Sequence, residues 1–500
     1  MTLLKNIYAW LVIARSNFVA HFGGTISLIF FLFIVVCLAA GMVRTLMAGR
    51  HLKRSSPLKR YSPDPDLTSH AAESLCQAIR IPTVTGDGEA MEAFREYLKK
   101  RYADVFEHLN FVASNTGSMV LRWRGPRSGE ELPILFCGHM DVVPPGDGWQ
   151  GDPFEGRIDE EGFIVGRGAI DCKNVVIGLM EAVDSLIKEG FAPSRDIYFA
   201  FGHDEETGGA EGAAKIAADF EKRGLRFEMV IDEGGYITEE HFGRKRFPAA
   251  LIGVGEKGCS YYRMTATGKA GHSSMPPKHS AVGVLAEAIC RIETAQPKAR
   301  LLDVVDENMR LSAPAMRFIH RFTVGNLPFS RPLLFRAFNS MPAVNPLFRT
   351  TVVCTQLWGS DTPNILPGQA SCIINARILQ GDTPKSIRKY LQSLVDDLPV
   401  EIEPVLEIPA SNIASIEGET YKKLCRIIDE KYPGLPCIPG IQSITTDSRH
   451  YEPVCDNIFK FMPFVMDASL YDRMHNADEK IGVSCLGLGV EFYKALIKEL

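Results

Sequence analysis

The 500-residue sequence lacks several features that mark particular classes of protein. Its twelve cysteines form no CxxC pair, and it contains no Asn-x-Ser/Thr sequon. Both absences argue against a disulfide-stabilised, secreted eukaryotic protein. Sixty acidic residues against 55 basic ones leave a formal net charge of -5, so the chain lacks the basic surplus of a nucleic-acid-binding protein. With 46% hydrophobic and 23% charged residues, the composition is that of a globular protein.

One long hydrophobic run stands near the N-terminus. Thr25 to Val43 is 19 residues without a charge, which is long enough to span a bilayer. The sequence predicts a single-pass membrane anchor at residues 25–47, between an N-terminal segment (1–24) and a polar, proline-containing linker (48–66). A cleaved signal peptide and a buried helix are the alternatives. Basic residues are more numerous after the run, which would keep the rest of the chain cytoplasmic; the side of the membrane stays open.

The residues that follow alternate between helical and strand-like patterns. Short apolar runs at Pro133–Cys137, Ile197–Phe201 and Glu228–Ile231 each end in a polar turn. Such alternation predicts an α/β domain with a mixed, largely parallel sheet and helices on both faces, formed by residues 67–257 and 405–500. Ligands in such domains bind beyond the carboxyl ends of the strands.

A second domain is expected at residues 258–404, inserted into the first. Four segments alternate between strand and helix periodicity in the order of a small α+β, ferredoxin-like domain: Ser260–Thr267, Ser280–Thr294, Cys372–Leu379 and Pro384–Leu394. Within it, an insertion at about 305–349 is rich in arginine and phenylalanine. This insertion is either a helical excursion packed on the body or a basic amphipathic surface that meets lipid or an acyl chain.

Five short motifs carry the residues suited to catalysis. They are GHMDVVP at 138–144, GRGAIDCK at 166–173, GHDEETGG at 202–209, IDEGG at 231–235 and RMHNADE at 473–479. Each is weak alone, but together they supply an early histidine, a late histidine and several carboxylates at strand ends. Imidazole and carboxylate ligands suit zinc, and a shared carboxylate such as Asp171 can bridge two ions. His139 as a ligand would need an acceptor for its other ring N–H, which Asp141 offers.

The combined motifs resemble the two-zinc aminoacylase and carboxypeptidase family of metallopeptidases. The resemblance runs from about residue 67 to the C-terminus. The hydrophobic N-terminal segment and the Arg/Phe-rich insertion resemble features of one branch of this family. That branch contains the yeast Gly-X carboxypeptidase and the mammalian N-fatty-acyl-amino acid synthase/hydrolase. The family has a zinc-peptidase-type α/β domain and an inserted lid or dimerisation domain, so the resemblance implies the same architecture here.

The resemblance also implies two zinc ions per subunit, with cobalt or manganese as possible substitutes, and a role for each motif residue. The implied ligands are His139, Asp171 as the bridge, Glu206, His475, and either Asp232 or Glu233. Glu205 is implied as the general base and Asp141 as the acid that orients His139. The residue after His475 is Asn476, where the family commonly has glycine.

In the lid, Gly271-His272-Ser273-Ser274 resembles a family motif whose histidine reaches the active site of a dimer partner and polarises the scissile carbonyl. Asn364 and Arg377 resemble residues that contact the substrate carbonyl and clamp its free carboxylate, and a bidentate arginine suits that task. Asp447 and Arg449 resemble residues of a loop that lines the substrate pocket. A homodimer through the lid follows as a possibility.

The sequence therefore predicts a membrane-anchored, zinc-dependent amidohydrolase that releases a free amino acid. Its substrate is either a peptide with a cleavable C-terminal bond or an N-acyl amino acid. Two alternatives stay open: a cytosolic-type dipeptidase whose N-terminus is a buried helix, and a catalytically silent binding protein on the same fold. No nucleic-acid partner is expected.

Overall fold

A computed structural model describes residues 24–47, 61–112, 117–241, 244–326, 335–336, 341, 344–466 and 468–500. The described residues belong to two compact units, one within Met1–Lys53 and Met309–Ser340, the other within Arg54–Asn308 and Met341–Leu500. Most of the predicted N-terminal segment and linker, and much of the Arg/Phe-rich insertion, lie outside the described residues.

The helices are α1 (Gly24–Met47), α2 (Pro65–Ile79), α3 (Gly88–Arg101), α4 (Ala103–His108), α5 (Lys173–Lys188), α6 (Ala213–Lys222), α7 (Ala281–Thr294), α8 (Asp303–Ser312), α9 (Phe318–Gly325), α10 (Pro384–Ser393), α11 (Glu419–Lys431), α12 (Ala468–Tyr471) and α13 (Val483–Glu499). Single 3₁₀ turns lie at Glu205–Thr207, Ala313–Ala315, Asn345–Leu347 and Asp447–Tyr451.

The strands are β1 (Asn110–Val112), β2 (Met119–Trp123), β3 (Ile134–His139), β4 (Arg157–Ile158), β5 (Phe163–Val165), β6 (Ile197–Gly202), β7 (Met229–Asp232), β8 (Ile237–His241), β9 (Arg244–Glu256), β10 (Gly258–Thr267), β11 (Gly271–His272), β12 (Thr351–Trp358), β13 (Ile365–Leu366), β14 (Gln369–Ile378), β15 (Val400–Ile408), β16 (Cys437–Gln442), β17 (Ile458–Lys460), β18 (Val465–Met466) and β19 (Lys480–Gly482).

In the smaller unit, the end of α1 packs against α9. Asn326, just past α9, donates a side-chain hydrogen bond of 3.3 Å to the backbone oxygen of Gly41, and Thr45 is buried. A side chain at Gly41 would press on Asn326, with a Cβ only 3.0 Å from its Oδ1. The glycine therefore permits this close approach of the two helices.

The predicted membrane anchor at residues 25–47 is wrong. Among the residues that the structure describes, no helix combines the length and the apolar character needed to cross a bilayer. Arg44 lies in the last turn of α1, and the buried residues near that end, Gly41 and Thr45, face protein within their own unit. The predicted single-pass location in a membrane, which rested on that anchor, is therefore also wrong.

The larger unit is built on a mixed sheet with the order β1-β2-β6-β3-β7-β17-β9-β8-β18, and β16 also pairs with β9. Strands β6, β3, β7 and β17 run parallel, whereas β2 is antiparallel to β6. Every residue of β3, β6 and β7 is buried, as expected for strands covered on both faces.

Alternation along these strands separates two layers of helices. Leu135 and Cys137 of β3 face a cluster that includes α6, whereas Phe136 packs edge-to-face on Tyr493 of α13. Helices α2, α5 and α13 contact one another on that second face. The predicted α/β domain with helices on both faces is confirmed.

The predicted inserted domain is also confirmed in its architecture. Strands form an antiparallel sheet with the order β12-β14-β10-β15, and α7 and α10 pack on it around a core that includes Tyr262, Leu285, Ile374 and Leu391. The chain order of these elements is β-α-β-β-α-β, the ferredoxin-like order. Thr383 caps α10 through a capping box with Ser386, which explains where that helix begins.

Candidate metal centre

The motif residues meet at one edge of the main sheet. Strand β3 ends at His139, β6 ends at Gly202 just before Glu205, and β7 ends at Asp232 just before Glu233. Because these strands are parallel neighbours, their carboxyl ends lie together. Asp171 directly precedes α5, and His475 lies in the turn between α12 and β19.

Asp171 lies between the two histidines. Its Oδ1 is 3.0 Å from His139 Nε2, and its Oδ2 is 2.9 Å from His475 Nε2. Glu233 Oε1 is 3.3 Å from the same nitrogen of His139, and Glu206 Oε2 is 3.2 Å from that of His475. The side chains thus form two groups, each with one imidazole and one carboxylate of its own, and Asp171 belongs to both.

Asp141 holds His139 and the turn that carries Glu205 and Glu206. The backbone oxygen of Asp141 accepts a hydrogen bond of 2.9 Å from Nδ1 of His139, which leaves Nε2 facing the carboxylates. The carboxylate of Asp141 accepts bonds from the Thr85 hydroxyl, at 2.7 Å, and from the backbone N–H groups of Glu205 and Glu206, at 3.2 and 3.3 Å. One carboxylate therefore holds the turn that carries both glutamates.

Glu479 holds the loop that carries Asp171. It is fully buried, pairs with the buried Arg167 at 2.6 Å, and accepts backbone bonds from Gly168, Ile170 and Asp171. Glu479 has no predicted role, although it lies in the same motif as His475. An acidic residue in a polar loop is too common a signal to single it out.

Cys172 was also missed. Its thiol sulfur lies 3.2 Å from the backbone nitrogen of His139 and within 4.8 Å of the possible ligand atoms of His139 and Glu233. Burial raises the pKa of this thiol well above its ordinary value, so the thiol form is favoured. Packing beneath the histidine accounts for its position.

The electrostatics of the cluster reflect its excess of carboxylates. Burial, with the nearby charge of Glu233, raises the pKa of Glu205 well above its ordinary value. Burial also raises the pKa of Glu233 to about 7. The imidazoles act against burial at Asp171 and lower its pKa, while hydrogen bonds to Asp171 and Glu206 raise the pKa of His475 to about 10. Added cations would stabilise all of these carboxylates.

The donor set fits metal ions. His139, Glu205 and Glu206 form one group, and Asp171, Glu206 and His475 another, in which the ligand atoms lie within 4.8 Å of one another. The second oxygen of Glu206, Oε1, is buried and has no hydrogen-bond partner in the described part of the chain. Zinc binds well to imidazole and carboxylate donors. A buried carboxylate oxygen without a partner is a further sign that an ion belongs beside it.

Asp232 and Asp447 lie beside the cluster rather than in it. Asp232 accepts a hydrogen bond of 2.8 Å from the backbone of Ser448, and it is Glu233 that lies next to His139. Both oxygens of Asp447 are buried without a hydrogen-bond partner among the described residues, and its pKa is raised well above the ordinary value by burial. A side chain at Gly202 or Gly209 would collide with this carboxylate, so the glycines of the 202–209 motif make room for it.

The structure does not bring the predicted lid residues, or Arg449 of the α/β domain, to the cluster. His272 is exposed, and its Nδ1 lies 2.8 Å from the Ser274 hydroxyl. Asn364 is also exposed, and its backbone oxygen accepts a bond from Ser273. Arg377 and Arg449 are half-buried, and each makes a long bond, of 3.5 and 3.3 Å, to a backbone oxygen.

Comparison with known proteins places the chain among metallopeptidases. The model of peptidase family M20/M25/M40 matches residues 135–499. The chain is 34% identical over 448 residues to a probable carboxypeptidase S-like 2 of Dictyostelium discoideum, covering 85% of this chain and 84% of that one. It is 30% identical over 489 residues to the N-fatty-acyl-amino acid synthase/hydrolase PM20D1 of Xenopus tropicalis, covering 95% of each.

Solved structures share the fold. An M20 family metallo-carboxypeptidase of Sulfolobus solfataricus superposes with a TM-score of 0.61 at 17% identity, covering 86% of this chain and 98% of that one. A protein of Bacillus subtilis described as a dinuclear metal-binding peptidase of the M20 family has a TM-score of 0.55 at 12% identity, covering 87% and 98%.

Proposed function

Because the chain belongs to peptidase family M20/M25/M40, a family of metal-dependent peptidases and amidohydrolases, we propose that it is a two-zinc amidohydrolase that releases a free amino acid from an N-acyl amino acid. The observation that carries this proposal is Asp171, whose two carboxylate oxygens face two different imidazoles at 3.0 and 2.9 Å. The PM20D1 relative, which aligns with 95% of the chain, supports the acyl substrate.

In this proposal His139, Asp171 and Glu233 hold one ion, and Asp171, Glu206 and His475 hold the other. Zinc ions bound there would polarise the scissile carbonyl and lower the pKa of water. Cobalt or manganese would be substitutes. Asp232 is the weaker choice of ligand because its carboxylate is already hydrogen-bonded to Ser448.

Glu205 is the proposed general base. It follows β6 at the edge where the ligands meet, and its Oε2 lies 3.9 Å from His139 Nε2, close to the cluster but not bonded within it. The raised pKa of its carboxyl group suits a group that takes a proton from water and returns it to the leaving nitrogen. Asp141 positions it by accepting the backbone N–H of Glu205.

The lid residues, together with Asp447 and Arg449 of the α/β domain, complete the site in this proposal. Arg377 would clamp the free carboxylate of the amino acid, Asn364 would contact the substrate carbonyl, and Asp447 and Arg449 would line the pocket. His272 would come from the lid of a second subunit, since in its own chain it is bonded to its own loop. Binding of substrate would close the lid.

An exposed apolar edge on the lid supports a homodimer. Strand β12 is an edge strand of the lid sheet, and it leaves Val353, Leu357 and Trp358 50%, 63% and 45% exposed. An uncovered edge of this kind is prone to pair with another chain. The dimer predicts that Leu357→Lys lowers the molar mass measured by light scattering to that of a monomer and lowers activity with it. Normal activity in a monomeric variant would refute the role of a partner's His272.

A carboxypeptidase is the second candidate, because the relative from Dictyostelium discoideum carries that name at 34% identity. Both candidates use the same metal centre and differ in the group on the other side of the scissile bond.

The test compares two substrates with the zinc-loaded full-length chain. Release of free amine is followed from N-hexadecanoyl-phenylalanine and from a Gly-Leu dipeptide, with Glu205→Gln as the inactive control. Preference for the acyl substrate supports the proposal, and preference for the dipeptide supports the second candidate or a dipeptidase. If neither substrate is cleaved although two zinc ions are bound, the proposed amidohydrolase activity is contradicted, and a binding protein on this fold becomes the favoured alternative.

A further inference from the structure

An apolar cavity lies next to the candidate metal centre, within the larger unit. Its volume is about 510 Å³, within the range of sites for small molecules. One wall is formed by Gly234, Gly235 and Tyr236, which directly follow Glu233. The opposite wall includes Tyr471, which precedes His475 by one turn, with the Met474 N–H bonded to the Tyr471 oxygen at 3.1 Å.

Two aromatic rings connect these walls. The rings of Tyr236 and Tyr471 stack with centroids 4.8 Å apart. Burial and the nearby charges of Asp171 and Glu233 raise the pKa of the Tyr471 phenol, so this ring lies within electrostatic reach of the metal-centre carboxylates. The cavity therefore lies beside Glu233 and the turn that carries His475.

Most of the rest of the lining is aliphatic, and the polar side chains in it are those of His241, Asn308 and Gln442. Strands β9 and β16 contribute Ile252, Ile438 and Ile441, and Val344 and Leu347 come from the segment before β12. None of the described lining residues is Asp, Glu, Lys or Arg. The one histidine is neutral at physiological pH, because burial lowers the pKa of His241 to about 4.

The two ends of an N-acyl amino acid differ in what they need from a protein. The amino-acid end carries a carboxylate, which needs a cation, and this cavity offers none. The acyl end is a hydrocarbon chain, whose burial is favourable by about 0.8 kcal/mol per methylene.

We propose that this cavity receives the hydrocarbon chain of an N-fatty-acyl amino acid whose amide carbonyl lies at the metal centre. The proposal rests on the proposed function and adds the residues that set acyl-chain preference. Val344 and Leu347 belong to the C-terminal end of the 305–349 insertion, which thereby contributes to the acyl site.

Gly440 of β16 offers a way to fill the cavity. It lines the cavity, its φ is not positive, and a Cβ there would meet only Asn308 Nδ2, at 3.5 Å. Gly440→Leu should lower kcat/KM for N-hexadecanoyl-phenylalanine by about tenfold or more and that for N-acetyl-phenylalanine by less than about twofold, since loss of a few methylene contacts suffices for such discrimination. Leu347→Phe fills the same space from the opposite side and is the second variant if Gly440→Leu does not fold. Gly283→Leu, on an exposed turn of α7, is the matched control and should change neither.

A binding measurement separates this proposal from the proposed function. Calorimetry with N-hexadecanoyl-phenylalanine uses Glu205→Gln alone and combined with Gly440→Leu, so that no turnover is needed. Weaker binding in the double variant supports the acyl cavity even if the wild type hydrolyses only dipeptides. Hydrolysis of the long-chain substrate with unchanged chain-length preference in both cavity variants would overturn the acyl cavity and leave the proposed function intact. Equal losses for the acetyl and hexadecanoyl substrates, or a changed preference for the amino-acid side chain, would also overturn it.

Discussion

The metal-centre residues and the lid residues were both predicted from short motifs, yet they lie in different physical settings. His139 is 1% exposed and contacts Asp141, Asp171 and Glu233. His272 is exposed and contacts only the loop that carries it among the described residues. The first group is ordered by the fold itself. In the proposed function, the second group acts only when the lid moves or a second subunit supplies it.

This contrast predicts that variants of the two groups fail in different ways. A metal-centre variant should lose metal or chemistry in every form of the protein. A lid variant should keep its metal but have a lower kcat, and this loss should depend on lid closure or on dimer formation.

The largest effect is expected for Asp171→Asn. Removal of one negative charge from the carboxylate that faces both imidazoles weakens both ion sites at once, so activity should fall about 10³-fold or more. Zinc content by mass spectrometry and kcat/KM are measured together. The control is Asp147→Asn, an exposed loop aspartate, which should change neither. Retention of two zinc ions and normal activity in Asp171→Asn would show that Asp171 does not bridge two ions.

Substitutions of Glu205 and Glu206 should distinguish a loss of catalysis from a loss of metal binding. Glu205→Gln should keep both ions and lower kcat by about 10²–10⁴-fold, because only the proton acceptor is lost. Glu206→Gln should instead lose the ion shared with His475. Zinc content measured beside kcat distinguishes them, and the same pattern of loss in both variants would show that the roles are not divided.

His272→Ala sharpens the contrast from the lid side. It should leave zinc content unchanged and lower kcat by about 10²-fold, as expected for loss of one group that stabilises an oxyanion. Mixing this variant with Glu205→Gln should restore part of the activity, because mixed dimers contain one site with both residues intact. Absence of any recovery in confirmed mixed dimers would place His272 in its own subunit's site.

Glu479→Gln tests how firmly the fold orders the centre. It leaves the buried Arg167 without a charged partner, which should lower the free energy of unfolding by about 3–5 kcal/mol. Urea denaturation measures this change, with Glu161→Gln, an exposed glutamate on a neighbouring turn, as the control. A change below about 1 kcal/mol would mean that the loop is held by other contacts.

The smallest effect is a pH dependence at the junction of the two domains. Lys257 is 1% exposed and donates bonds to the backbone oxygens of Pro346 and Arg349, and burial lowers its pKa to about 7. The unfolded chain therefore binds one more proton than the folded chain between about pH 7 and the ordinary lysine pKa, so stability should rise with pH there, by at most about 1.4 kcal/mol per unit. Lys257→Met should flatten this slope in thermal unfolding. An equal slope in the variant would assign it to other groups.

Much of the fold could be predicted from the sequence because each element has its own local signal. Buried strands such as β3 read as apolar runs, and the lid elements showed the periods of strand and helix. The membrane anchor was wrong for the opposite reason: the apolar run was interpreted without the contacts that Gly41 and Thr45 make within their own unit.

The metal centre was predictable only in part. Strand ends and motif resemblance pointed to His139, Asp171 and His475, and the structure brings the end of β3 together with the two loops that carry Asp171 and His475. The proposed choice of Glu233 over Asp232 rests on contacts that the sequence does not give: Glu233 lies beside His139, whereas Asp232 accepts a hydrogen bond from Ser448. Glu479 and the apolar cavity depend on contacts between residues far apart in the chain, for which no local pattern exists.

Anomalous diffraction at the zinc edge, on crystals of the full-length protein grown with zinc, shows whether Asp171 lies between two metal ions. We expect two peaks about 3.5–4 Å apart, one on each side of the Asp171 carboxylate, with His139 and Glu233 beside the first and Glu206 and His475 beside the second. A single peak, or two peaks that do not share Asp171, would contradict this expectation.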